Sequence, residues 1–304
     1  MNILVTGATS FIGANVIKQL LKERGNVIYA ICRPNSQNIN DVPKDENVKI
    51  VELDLKEIEN LHRCIDVSID VFFHFAWEGA RLPYRDDDEI QNKNYIAAVK
   101  AIKECYKLGC RKFIASGSQA EYGLMSGEIT EEYVCKPVNA YGKAKYKAYL
   151  ESFEFAKEYG IELIWGRVFS IYGTGDYEGT LIMYCLKKMQ KNEEIMLTQC
   201  IQDWDYLYID EVAEIFGKFA KISCKSGCYN IASGVHMPLR DYVEIIKEET
   251  RTKSVIRYGA IAYPESGMVS FRPDIRKMQN AIEWHTKITF REAINKMIAR
   301  EEYV

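Results

Sequence analysis

The chain has 304 residues, enough for two ordinary domains or one large domain with a lobe, and for a sizeable buried core. Forty Lys and Arg against 43 Asp and Glu leave a net charge of −3, so there is no global electrostatic reason to bind nucleic acid or an anionic membrane. Hydrophobic residues at 47% and charged residues at 27% exclude a disordered chain.

From its first residues the chain reads as a strand entering a turn, with no signal peptide before it. Strand-like apolar runs follow at 3–5, 27–32, 48–51, 71–75, 112–116 and 163–167. Helix-like stretches lie between them at 11–22, 55–64, 90–108 and 140–159. This alternation predicts an α/β fold, a doubly wound parallel sheet covered by helices on both faces. Such sheets bind ligands at the carboxyl ends of their strands. After about residue 167 the pattern loosens into helices at 179–189, 211–222, 239–249 and 290–301. The expected organisation is a dinucleotide-binding domain at 1–167 and a smaller substrate-binding lobe at 168–304, with 228–231 crossing back to the first. No apolar run approaches the ~18 residues of a membrane span. The nine scattered cysteines fit reduced thiols in the cytoplasm better than disulfides or a metal site.

Thr6-Gly-Ala-Thr-Ser-Phe-Ile-Gly13 lies between the first strand and the first helix. Gly7 permits a tight turn, Gly13 lets helix and strand approach, and the helix N-terminus offers N–H groups and a positive dipole to a pyrophosphate. At the end of the second strand, where an acidic residue would take the ribose hydroxyls of NAD, stands Arg33. Its planar fork suits a 2′-phosphate, which favours NADP(H) over a possible NAD(H); the alternative is a solvated loop residue. Asp54, beside Leu55, either edges the adenine or caps a helix.

Tyr141 and Lys145 are one helical turn apart and share a face. A tyrosine is a poor acid-base catalyst at neutral pH unless a nearby cation favours its phenolate. Ser118, at the end of the fifth strand, is placed to hydrogen-bond the same substrate oxygen as Tyr141. Together they would pass a proton while hydride moves at the adjacent carbon.

The order of phosphate turn, serine strand end and Tyr/Lys helix resembles the extended short-chain dehydrogenase/reductase family, the nucleotide-sugar epimerases, dehydratases and reductases. Thr6 to Gly13 is similar to the family's T-G-x-x-G-x-x-G, with Ser10 for the middle glycine. His74-Phe-Ala-Trp77 resembles H-x-A-A, with Trp77 for a small residue, and Asn94 matches the asparagine that supports the active-site backbone. Arg167-Val-Phe-Ser-Ile-Tyr-Gly173 resembles R-x-x-N-x-Y-G, with Ser170 for a substrate-touching asparagine. Trp204 stands where an arginine often contacts the diphosphate, which leaves Arg272 as the best remaining contact.

The resemblance implies catalysis by Ser118, Tyr141 and Lys145. It implies a dinucleotide site of Gly7, Ser10, Phe11, Ile12, Arg33, Asp54, Leu55, Phe75, Ala76, Trp77, Asn94, Ser116, Tyr141, Lys145 and Phe169. Substrate contacts are expected at Trp77, Gln119, Ser170 and Arg272, and a homodimer through the 90–108 and 140–159 helices. Family 4,6-dehydratases carry an acid pair after the catalytic hydroxyl, whereas Gln119 and Ala120 stand here and Glu121 comes one step late. Hydride transfer at a sugar carbon, most simply C4, therefore remains. Arg33 and NADPH place a 4-ketoreductase slightly ahead of a 4-epimerase; a non-catalytic NADP(H)-sensing regulator is the alternative of another class. His74 reads as a packed strand-end residue, while His62, His236 and His285 show no partner in the sequence.

Overall fold

The computed structural model describes residues 1–263 and 268–301. Seven strands form one parallel sheet: β1 (Asn2–Thr6), β2 (Val27–Cys32), β3 (Val48–Glu52), β4 (Val71–His74), β5 (Lys112–Ser118), β6 (Glu162–Val168) and β7 (Gly227–Ile231). Their order across the sheet is β7-β6-β5-β4-β1-β2-β3, with a reversal beside β1. The strands inside the sheet are short and largely apolar because both faces are covered, whereas the edge strand β3 is largely exposed. Alternation then sends neighbouring residues to opposite cores. Ile3 and Val5 join one buried cluster and Leu4 the other.

Helix α1 (Phe11–Leu20) and the helix Ile209–Lys221 pack on one face. Helices α2 (Asp88–Lys107) and α3 (Ala140–Tyr159) pack together on the other. The acidic run before α2 serves its start, since Asp87 caps the helix by accepting from the Ile90 N–H at 3.0 Å. The segment expected as a helix at 55–64 is instead a run of 3₁₀ turns, Leu55–Arg63, kinked at Glu57. Its two buried residues, Ile58 and Leu61, stand three apart, which suits a three-residue turn.

Strand β7 arrives from the later part of the chain and pairs with β6 from Gly227 to Ile231. The later part also carries a three-stranded sheet of Ser170–Tyr172, Asp203–Tyr208 and His236–Pro238. The helices there run Leu181–Gln190, Ile209–Lys221, Leu239–Thr250 and Phe290–Glu301, joined by a short one, Arg276–Ile282, that periodicity does not announce. A further strand pair, Ser126–Ile129 with Ser270–Pro273, ties the loop after β5 to the far end of the chain.

Buried polar groups lock these crossings. Asn230 takes the Tyr122 hydroxyl at 2.6 Å and donates to the carbonyls of Ile129 and Asp274. Asp205 accepts from the N–H groups of Ser233 and Gly234, both at 2.8 Å, and burial still pushes its carboxyl up to about 7. His62 does have a partner: its Nδ1 lies 2.7 Å from the buried Glu104 carboxylate, 42 residues away.

Candidate active site

Along the carboxyl edge of the sheet run two adjoining cavities of about 340 and about 970 Å³, sharing Thr9, Ser10, Asn38, Phe75 and Trp77 as walls. The smaller opens over the glycine turn and the ends of β2 and β3. Gly7 holds φ at +70°, and a Cβ there would lie 2.5 Å from the Ala76 nitrogen, so no other residue fits. A Cβ on Gly13 would meet the Gly7 carbonyl at 2.2 Å. Ser10 has a local reason to replace a glycine: it caps α1, its Oγ accepting from the Gly13 N–H at 3.0 Å. Arg33 lines the small cavity with no ion pair among the described residues. Asp54 both lines that cavity and caps the 3₁₀ turns through the Lys56 N–H at 2.9 Å.

The larger cavity lies between the end of β5, the start of α3 and the loops after β4 and β6. Ser118, Tyr141 and Lys145 meet on its wall. The Ser118 side chain lies close enough to the Tyr141 phenol to favour its ionised form, and its Oγ accepts from the Ala120 N–H at 3.2 Å. Tyr141 is buried, which raises its phenol above the ordinary value; the Ser118 side chain and the charge of Arg85 oppose that rise. Lys145 is also buried, and desolvation brings its amine down to about 7. Its Nζ donates to the Ser116 carbonyl at 2.7 Å and lies 3.7 Å from the centre of the Trp77 indole. Trp77 in turn meets Tyr141 edge-on at 6.0 Å and donates to Gln91 at 2.8 Å.

The turn that carries Ser118 is pinned from below. Glu121, fully buried, accepts from the Ser118 N–H, the Trp165 indole and the Arg167 guanidinium at 2.8 to 2.9 Å. It therefore faces the core rather than the cleft. Gln119 faces the cleft, and its buried Oε1 has no partner there, an acceptor suited to a ligand hydroxyl. His74 is a packed residue: its Nδ1 meets Thr6 at 2.8 Å, its ring stacks on Phe113, and burial holds its imidazole down near about 3.

Of the residues expected from the sequence to form the site, all but two line one cavity or the other. Asn94 does not; both ends of its amide go to the Glu78 backbone, at 2.7 and 2.9 Å, so it holds the segment after β4 instead of reaching a cofactor. Arg272 does not either. Its neighbour Phe271 fills the buried face, so alternation turns the guanidinium outward, 3.9 Å from Asp203 and half exposed. Ser170 and Trp204 act as a unit, the indole donating to the serine hydroxyl at 2.9 Å.

A loop roofs the large cavity; the sequence offers Arg81 there as a contact to a sugar hydroxyl or phosphate, and Arg85 is the residue it misses. Arg81 bridges to Asp176 on the opposite loop at 3.2 Å and lies over Tyr177, while Arg85 lies over the Tyr141 ring at 4.6 Å. The buried Gln91 holds that loop by donating to the carbonyls of Gly79 and Tyr84. Loop residues carry no periodicity, and only the cationic pair at Arg81 and Arg85 hints at them.

A glycine turn at a helix N-terminus beside a cluster of Ser118, Tyr141 and Lys145 is an arrangement that suits a dinucleotide-dependent oxidoreductase. The chain belongs to the NAD dependent epimerase/dehydratase family, whose profile matches residues 3–232, and it is an enzyme of that class. It is 28% identical over 308 residues to the CDP-abequose synthase of Salmonella muenchen, covering 99% of this chain and 98% of that one. It is 23% identical to the dTDP-4-dehydro-6-deoxyglucose reductase of Escherichia coli, covering 97% and 96%. The crystal structure of UDP-glucose 4-epimerase with UDP-glucose from Thermotoga maritima superposes over all of both chains, with a TM-score of 0.88 at 23% identity. Among the described residues, no helix is long and apolar enough to cross a membrane.

Proposed function

We propose that the protein reduces a 4-keto nucleotide sugar at C4, using a nicotinamide dinucleotide as hydride donor. The observation that carries this reading is that Ser118, Tyr141 and Lys145, the last one turn along α3, line one wall of the cavity that adjoins the glycine turn. The dinucleotide, when bound, supplies the hydride. The turn from Gly7 to Gly13 would hold its pyrophosphate, Arg33 a 2′-phosphate, and Lys145 the hydroxyls of the nicotinamide ribose. Tyr141 Oη gives its proton to the sugar's carbonyl oxygen as the alkoxide develops, and the Ser118 hydroxyl hydrogen-bonds that same oxygen. Gln119, with its unpartnered acceptor, orients a neighbouring hydroxyl. The positions after Ser118, where a dehydratase's acid pair would stand, supply no free acid, since Gln119 and Ala120 do not ionise and Glu121 is consumed by Arg167.

The Escherichia coli relative's name supports reduction, as does Arg33, which has no ion pair among the described residues and whose fork would suit the 2′-phosphate of NADPH. A 4-epimerase is the second reading, favoured by the likeness to the Thermotoga maritima enzyme's fold. We also assign residues 1–167, completed by β7, to the dinucleotide and the remainder to the sugar nucleotide. The outer faces of α2 and α3, where Ile96, Tyr106 and Leu150 are exposed, would seat a second copy of the chain in the cytoplasm, where nine free thiols stay reduced. The test is to incubate the purified protein with UDP-, CDP-, GDP- and dTDP-linked sugars and their 4-keto forms. Net NADPH consumption is expected. Interconversion of epimers without net cofactor turnover would replace the reductase with the epimerase, and dinucleotide binding with no sugar turnover would replace both with a sensor.

A further inference from the structure

The roof loop after β4 places a permanent cation on the residue that moves the proton. Arg85 projects its guanidinium over the face of the Tyr141 ring, 4.6 Å from the centroid. Its position is fixed at several points. Arg85 Nη1 donates to the Ala80 carbonyl at 3.1 Å, and its backbone N–H donates to Arg81 at 2.9 Å. Gln91, itself 1% exposed, holds the Gly79 and Tyr84 carbonyls on either side and accepts from the Trp77 indole. Gly79 adopts φ +63°, and a Cβ there would lie 2.8 Å from the Tyr84 side chain, so the loop has little room to take another path.

We propose that Arg85 is a positioning residue for the proton transfer, one that stabilises the phenolate of Tyr141 and so sets the pH at which that residue can act. The inference rests on Tyr141 being the proton donor and acceptor of the proposed reaction. A phenolate ring is far richer in electrons than a phenol, so a cation over its face favours the ionised form. The other groups facing Tyr141 do not replace Arg85. Ser118 approaches from β5 as a neutral hydroxyl. Glu121, below the same strand end, opposes ionisation but is neutralised by Arg167. Trp77 presents an edge and carries no charge. Lys145, on the tyrosine's own helix, lies 5.9 Å from the ring, and its buried amine titrates at about 7, so near neutrality it is only partly charged. A guanidinium does not lose its charge in this range. Arg85 is thus the constant cation of the site and Lys145 the variable one.

The full-length protein labelled with [¹³Cζ]tyrosine and saturated with NAD⁺ reports the ionisation directly, with the Tyr141 signal assigned by its loss in Tyr141→Phe. Arg85→Gln is expected to raise the Tyr141 midpoint by about one pH unit, and Arg85→Lys by less, since it keeps a charge without the planar stack. In turnover the limb of the pH profile that belongs to Tyr141 shifts upward by the same amount, and below that limb kcat for reduction falls by at most about tenfold, because a weaker acid gives its proton less readily, with little change in KM. Unchanged midpoints in both variants would overturn the proposal. So would a rise in KM alone, which would make Arg85 a sugar contact instead. Because the titration needs no sugar, a protein that turns over none of the sugar nucleotides would refute the proposed reaction while the midpoint still decides the role of Arg85.

Discussion

The two ends of the cleft are built on different terms. At the glycine-turn end the wall is backbone: Gly7 against the Ala76 nitrogen, Gly13 against the Gly7 carbonyl, and the first turn of α1. At the Tyr141 end the wall is side chains delivered by separate elements, Ser118 from β5, Tyr141 and Lys145 from α3, and Arg81, Arg85 and Asp176 from two facing loops. A backbone wall tolerates almost no change and recognises what its ligands share. A side-chain wall can be rebuilt one residue at a time, which suits the end that must tell one sugar from another. Of the paired departures, Ser170 falls on that second wall and Trp204 stands behind it, its indole N–H satisfying the serine hydroxyl.

This contrast can be broken by experiment. The largest effect is expected from Tyr141→Phe, which leaves the ring and removes the proton. It should lower kcat by ~10²–10⁴-fold while calorimetry finds dinucleotide affinity unchanged. Loss of dinucleotide binding would mean that the two ends are not separable. Next comes Gly7→Ala. A strained left-handed backbone costs ~1–3 kcal/mol, and the added methyl meets the Ala76 nitrogen, so both melting temperature and dinucleotide affinity should drop, the latter at least tenfold. A variant that still binds the dinucleotide normally would show that the turn is not a backbone cradle. The smallest is Arg81→Ala, which opens the bridge to Asp176. Arg81 is half exposed, so solvent discounts the pair to well under ~1 kcal/mol; KM for the sugar nucleotide should rise a few-fold with the melting temperature almost unmoved. A large loss of stability would make the bridge part of the fold and not of the roof.

How much of this could be read from the sequence follows the same division. The glycine turn is legible because its constraint is local: a strand, two glycines and a helix start within eight residues. Tyr141 and Lys145 are legible because four residues on a helix are one turn. Groups whose partners lie far along the chain are not. Glu121 reads as a carboxylate one step late, and only folding shows that Arg167, 46 residues on, turns it into the core. Arg272 reads as the remaining diphosphate contact because the sequence does not say which face of its strand is buried; Phe271 takes the inner one. Asn94 reads both as a support of the active-site backbone and as a cofactor contact; its amide, spent on the Glu78 backbone, does the first and not the second. Arg85 sits in a loop without periodicity, fixed by a glutamine that sequence reasoning has no cause to single out.

Strand β7 has a consequence for how the molecule is made. It pairs with β6 only after about sixty further residues have been added, so a nascent chain that has completed Glu162–Val168 carries an open parallel edge with unpaired N–H and C=O groups. Ribosome pausing or truncation within that interval would leave this edge free to recruit another strand, with aggregation the foreseeable result. A separately supplied fragment from 168 onward should, for the same reason, rescue the shortened chain by closing the sheet in trans.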